Sequence, residues 1–192
     1  TQNGRTPIHA SAVQADGLAI LFAGPSGAGK SSLALAAHRA GLTVLSEDTV
    51  YVRLRPDLAI WGWNGPVHLL PGEACQTAPL RIRNGRAKHA VVLESAPSSV
   101  PPTKSAVVCI LKPGAHAMLT RLEAQRALEL LHPLEPGFDL LAPDIHAVHR
   151  RLCRNGAWLL GLSKSPDEAI ALISANIDRL SRTASAAVPG EQ

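Results

Sequence analysis

Gly24-Pro25-Ser26-Gly27-Ala28-Gly29-Lys30-Ser31 is a complete G-x-x-x-x-G-K-S phosphate-binding loop, and the apolar run Leu18 to Ala23 directly before it supplies the strand such a loop needs. The glycines let backbone N–H groups turn inward around phosphate oxygens with no Cβ in the way. Lys30 is placed to reach the outer phosphates and the Ser31 hydroxyl to take Mg²⁺. Ser31 to Ala40 is rich in Ala and Leu and free of Pro and Gly, so a helix is expected to start at the loop and aim its positive end at the phosphates. Strand, loop and helix come in the required order. The residues expected around a bound nucleotide are Gly24, Pro25, Ser26, Gly27, Ala28, Gly29, Lys30, Ser31 and Ser32.

Working outward, Ile8 to Val13 and Leu18 to Ala23 are apolar runs joined through Ala15-Asp16-Gly17, the pattern of a β-hairpin with a glycine turn. A tight turn there would set His9 opposite Ala23 or Gly24, at the mouth of the loop. The helix is expected to stop at Gly41, and Leu42 to Leu45 reads as a strand that delivers Ser46-Glu47-Asp48 at its end. Glu47 and Asp48 thus lie 17 and 18 positions after Lys30, separated from it by one helix and one short strand. Two carboxylates at a strand end beside a nucleotide can divide their work, one holding Mg²⁺ and the other accepting a proton from an attacking hydroxyl. That division describes a kinase. Without the loop, the acidic pair would read as ordinary surface residues and His9 as a structural histidine.

The rest of the chain is less specific. Val50 to Arg53 and Leu58 to Trp61 read as strands about Arg55-Pro56-Asp57, and Arg81 to Val92 as a hairpin about Asn84-Gly85. Ala106 to Leu111 reads as a buried strand, Arg121 to Leu131 as a helix stopped by Pro133, Asp144 to Arg154 as another helix and Trp158 to Leu162 as a last strand. Ser165-Pro166-Asp167-Glu168 is a capping box opening a helix to about Leu180. The Pro- and Ser-rich stretch Ala96 to Lys104 reads as a mobile loop. Residues 1–182 form one expected domain, followed by a disordered tail over 183–192.

A chain of 192 residues with 46% apolar content fits one domain with a substantial core. Cys75, Cys109 and Cys153 are far apart and form no C-x-x-C pair, which points away from zinc and disulfides and toward a reducing cytoplasm. No apolar stretch approaches a membrane span and no signal-like segment opens the chain, so a membrane is not an expected partner. The start at Thr1 rather than Met leaves room for an N-terminal domain ahead of it. The net charge of +4 suits acidic partners. Basic clusters occur at Arg81, Arg83, Arg86, Lys88 and at Arg150, Arg151, Arg154, but none of the six aromatics interleaves with them. Nucleic acid is therefore not an expected partner, and both clusters read as solvated faces.

Taken together, His9, the loop Gly24 to Ser31, Leu33-Ala34-Leu35, Arg39-Ala40-Gly41 and Glu47-Asp48 resemble the HPr kinase/phosphorylase family, whose catalytic domain is related to phosphoenolpyruvate carboxykinase. Val67-His68-Leu69-Leu70 is similar to the family's segment after the acidic pair, and Thr120-Arg121-Leu122 to its aspartate-arginine-leucine step. The resemblance implies an α/β fold built on a mixed, strongly bent sheet, with the P-loop strand-loop-helix and flanking helices. It implies ATP and Mg²⁺ as cofactors, Asp48 with Ser31 as metal ligands, Glu47 as proton acceptor, His9 beside the transferred phosphoryl and Arg121 as an anion-binding residue. It further implies transfer of the γ-phosphoryl to a serine hydroxyl of a protein or peptide, as in stand-alone kinases of lasso peptides, and a homo-oligomer, since relatives form rings. The chain departs from the pattern in two places. Glu47 replaces an aspartate, and Pro71-Gly72-Glu73 stands where the bifunctional enzymes carry a leucine-glutamate-isoleucine-arginine-glycine signature, which implies a kinase without phosphorylase activity. A P-loop kinase of a small metabolite and a non-catalytic, ATP-responsive binding module share the loop and are the competing readings.

Overall fold

A computed structural model of the chain describes residues 4–63, 65–71, 78–83, 85–93, 101–134 and 141–186. Its first strands are β1 (Thr6–His9), β2 (Ser11–Ala15) and β3 (Leu18–Ala23). Asp16 and Gly17 both have positive φ, 47° and 74°, as a two-residue turn of type I′ requires, and they close β2 onto β3 with Ala15 opposite Leu18. Helix α1 (Lys30–Arg39) follows the loop, then β4 (Thr43–Ser46), β5 (Thr49–Arg53), β6 (Ala59–Trp61), β7 (Val67–Leu69), β8 (Leu80–Arg83) and β9 (Arg86–Val91). The second half carries β10 (Ser105–Pro113), β11 (Met118–Leu122), α2 (Ala124–Leu131), α3 (Ala142–Leu152), β12 (Ala157–Leu162), α4 (Pro166–Ser174), α5 (Ile177–Ser181) and β13 (Ser185–Ala186).

The main sheet runs β11-β12-β10-β3-β2-β4, with β10 parallel to both β3 and β12 and the outer pairs antiparallel. All six residues of β3 are buried because the sheet is covered on both sides. Leu18, Ile20 and Phe22 face α1, α4 and β7, while Ala19, Leu21 and Ala23 face α2, α3 and the small sheet β1-β5-β6. A third sheet, β7-β9-β8, leans on the first face through Val67 and Leu69. This is the expected α/β class: a mixed sheet, a P-loop strand-loop-helix and flanking helices.

Four expectations change, the first being the helix expected from Ser165-Pro166 to about Leu180, which is two helices, α4 and α5, separated at Ala175 and Asn176. The helix expected over Arg121–Leu131 begins only at Ala124, because Met118–Leu122 pairs antiparallel with β12 and Arg121 sits in that ladder opposite Trp158. His9 does not pair with Ala23 or Gly24: the Ala10 N–H donates to the Ile8 carbonyl, a turn between strands, and β1 pairs instead with β5, placing His9 opposite Thr49. Residues 183–186 do not belong to the disordered tail expected from residue 183, since Thr183 is buried and Ser185–Ala186 pairs with Ser105 and Ala106 of β10. Residues 187–192, most of the Ala96–Lys104 stretch, Asn84, Gly72, Glu73 and Cys75 lie outside the described residues.

Cys109 in β10 and Cys153 at the end of α3 are both buried, and burial pushes each thiol up to about 12. In a Cys75→Ser background, neither is expected to react with an aromatic disulfide reagent near neutral pH while the protein is folded, and both should react in denaturant. Fast native labelling would show that these elements open.

Candidate active site

The loop folds back on its own lysine. Gly27 and Gly29 take φ of 85° and 96°, left-handed values that only glycine adopts without strain, and Gly29 caps α1. The Lys30 ammonium, on the first residue of α1, donates to the carbonyls of Gly24 at 2.6 Å and Pro25 at 3.1 Å. Lys30 is buried, and desolvation holds its pKa below the ordinary lysine value; Lys88 pushes the same way, while Asp48 and Glu47 oppose it.

Strand β4 brings the acidic pair to the loop, as expected. The Ser46 hydroxyl donates to the Thr49 carbonyl at 2.6 Å and accepts from the Thr49 and Asp48 N–H groups at 3.2 and 3.4 Å, which fixes the sharp turn from β4 into β5. Gly62, just after β6, passes so close to Leu45 that a Cβ there would collide with the Leu45 backbone carbonyl, so the turn is held from outside as well. Within it the two carboxylates part ways. Glu47, only 8% exposed, accepts from the Ser31 hydroxyl at 2.9 Å, the His68 backbone N–H at 3.2 Å and the His68 ring Nδ1 at 2.6 Å. Asp48 lies toward solvent, its side chain 40% exposed, with Oδ1 3.4 Å from His9 Nδ1.

One cavity of about 540 Å³ gathers these groups: His9, the loop residues Gly24, Pro25, Ser26, Gly27 and Gly29, Lys30, Ser31, Ser32, Glu47, Asp48 and His68 line it, joined by Arg86 and Lys88. Ala28 turns away into the core, its N–H donating to the Pro25 carbonyl at 3.1 Å. Arg121 is not brought in. Its guanidinium donates to the Thr183 hydroxyl at 2.8 Å and to the Asn155 carbonyl, and lies over the Trp158 ring. It stands three strands away from β3 in the sheet, ~14 Å at ordinary strand spacing. Of the pocket residues, His68, Arg86 and Lys88 were not among the expected site residues. His68 carried a signal: a histidine between two buried apolar residues of a short strand points away from the core that takes its neighbours.

The oxygens present suit a small hard cation. Ser31 Oγ and the Glu47 carboxylate are already in contact, and Mg²⁺ is characteristically held by one or two such groups together with phosphate oxygens and water. Among the described residues no group of three or more His, Cys, Asp or Glu side chains forms a metal cluster.

Comparison with known proteins finds likeness among solved structures. No family model matches the chain, and no curated protein matches it. Among solved structures, the HPr(Ser) kinase/phosphatase from Coxiella burnetii is similar over 91% of this chain and 97% of that one, at 12% identity and a TM-score of 0.44.

Two outcomes follow from the geometry. Arg121→Ala should lower stability by about 1–2 kcal/mol through its lost hydrogen bonds and leave a nucleotide-induced Tm shift intact; an unchanged Tm with a lost shift would return Arg121 to the site. For Lys30 the sign is set by its lowered pKa: the unfolded chain holds this proton to higher pH than the folded one, so stability rises with pH between the lowered value and the ordinary lysine value. A nucleotide bound at the loop would favour the charged form, so any nucleotide-induced Tm shift should shrink over the same window in the wild type. Lys30→Met, compared across that window, should lack the native stability gain.

Proposed function

We propose that this chain is a phosphotransferase that moves the γ-phosphoryl of ATP to a serine hydroxyl of a protein or peptide, and that it works in this direction only. The observation that carries the transfer reading is that the loop lysine, the Ser31–Glu47 contact and the more open His9–Asp48 pair line one cavity. The serine acceptor and the choice of ATP rest on the motif resemblance, and the one-way chemistry on the absent signature after Leu70.

In this reading the loop amides and Lys30 receive the phosphates, and Lys30 exchanges its carbonyl partners for phosphate oxygens. A second cavity, of about 450 Å³, adjoins the loop through Gly27, Gly29 and Ser32; Leu33, Ala36, Pro113 and Leu162 give it apolar walls suited to the nucleoside. Mg²⁺, when bound, supplies neutralisation of phosphate charge, and Ser31 and Glu47 are the residues that would hold it. Glu47 is fully engaged by Ser31 and His68 and is fixed in place. Asp48 stands on the solvent side, where an incoming hydroxyl arrives, and is the better-placed proton acceptor; His9 orients it. The geometry thus favours the reverse of the division expected from the resemblance, with Glu47 on the metal side and Asp48 on the proton side.

The variants separate these roles. Lys30→Ala should abolish the Tm shift produced by Mg·ATP. Glu47→Gln should weaken Mg²⁺-dependent nucleotide binding, whereas Asp48→Asn should spare binding and cut turnover by about 10²–10⁴-fold, the range for a lost general base. The opposite pattern would restore the expected division. Labelled-ATP transfer to peptide pools, free serine and small metabolites decides the acceptor: label on metabolites alone would make the chain a metabolite kinase, and no label with intact ATP binding would make it a binding module.

A further inference from the structure

The third sheet has two chemically opposite faces. Val67, Leu69, Ala87, His89 and Val91 alternate onto one face, and Val67 and Leu69 are buried in the core beneath it. On the other face the register aligns His68 with Ala90 and Arg81 with Lys88, while Arg86 follows Lys88 at the next same-face position. His68 is bonded to Glu47, and Lys88 and Arg86 line the phosphate cavity. Arg81 is exposed on the edge strand β8 and lies outside the cavity. Cations therefore run outward from the acidic pair, across two strand spacings or about 10 Å.

Beyond His68, which is bonded to Glu47, the cations of this face, Arg81, Arg86 and Lys88, have no ion-pair partner among the described residues. Arg81 directly opposes Lys88, a like-charge cross-strand pair that disfavours the sheet. The positive field extends to the loop itself, where Lys88 acts against the charge on Lys30. Nucleotide phosphates held by the loop give a reason for Lys88 at the cavity wall, but none for Arg81 beyond it. The face carries no Phe, Tyr or Trp among its described residues, and the ring of His68 is bonded to Glu47, so the described face offers no stacking platform of the kind single-stranded nucleic acid uses.

We propose that the cationic face of β7, β9 and β8 docks the acceptor, an acidic stretch of peptide or protein flanking the hydroxyl that is phosphorylated. This rests on the phosphotransferase reading. An extended segment advances about 3.3 Å per residue, so a hydroxyl at Asp48 places the carboxylates met by Lys88, Arg86 and Arg81 within about three or four residues of it. Opposite charge at this rim acts mainly on encounter and orientation and is weakened by salt.

The test uses fluorescent serine peptides of one length whose flanking residues are Asp/Glu, Gln or Lys, bound to the full chain and followed by anisotropy, with phosphorylation measured on the same peptides. The acidic peptide should bind at least tenfold tighter than the Gln peptide at low salt, and the advantage should fall as salt rises. Arg81→Glu should erase most of that preference and improve binding of the Lys peptide; Arg81→Gln gives the intermediate case. The Mg·ATP-induced Tm shift on each sample reports whether fold and loop are intact. Equal binding of the three peptides, an acidic preference that survives Arg81→Glu in a folded variant, or tighter binding of a single-stranded oligonucleotide than of the acidic peptide would each overturn the proposal. Acidic preference without phosphoryl transfer would keep the surface and sink the kinase reading, while transfer without acidic preference would do the reverse.

Discussion

The Glu47 carboxylate ties the site together. It is almost fully buried and accepts hydrogen bonds from a residue 16 positions earlier and another 21 positions later. A carboxylate taken out of water is tolerated only when its lone pairs are met, so these donors are a condition of the fold as well as a feature of the site. Ser31 belongs to the first turn of α1, Glu47 to the turn leaving the main sheet and His68 to the third sheet. One side chain therefore fixes how far the phosphate loop stands from the acidic turn and how the third sheet closes over both.

Strand alternation makes this arrangement possible. Val67 and Leu69 sink into the core beside α1 while His68 between them turns to Glu47, so three residues anchor a sheet by apolar burial and deliver a polar contact at once. Burying a side chain such as Leu69 contributes on the order of 1.5–3 kcal/mol, enough to hold the short strand β7 while its histidine serves the site. The same logic splits Glu47 from Asp48. Adjacent residues at a strand end point to different sides, one toward Ser31 and the other toward His9.

What could be read from the chain alone follows the range of the interactions involved. The strand Leu18–Ala23, the loop, α1 and the stop at Gly41 are written in local sequence: an apolar run, glycines with positive φ and an Ala-rich helix former. Contacts between distant segments were harder. His9 reaches the site, but through pairing with β5, a choice made at Ala10 where the chain leaves the main sheet. Arg121 sits in a pattern that also suits a helix, and only the neighbouring β12 makes it a strand residue. Which of two adjacent acids meets Ser31 depends on the turn built by Ser46, and that Arg81 and Lys88 share a face with His68 depends on the register of β8, β9 and β7.

The resting loop also bears on how tightly a nucleotide can bind. Lys30 is not waiting in water; it is buried and already bonded to two loop carbonyls, so phosphate gains only the difference between charge-assisted bonds and these neutral ones. Burial changes that difference in phosphate's favour. Neutral carbonyls compensate a desolvated ammonium incompletely, which is why its proton is held more weakly than usual, whereas a phosphate anion would favour the charged form. The loop therefore stores part of its affinity as an unfavourably solvated cation. In the proposed reaction the release of that penalty would fall at the outer phosphates, the group whose charge is redistributed when the phosphoryl leaves.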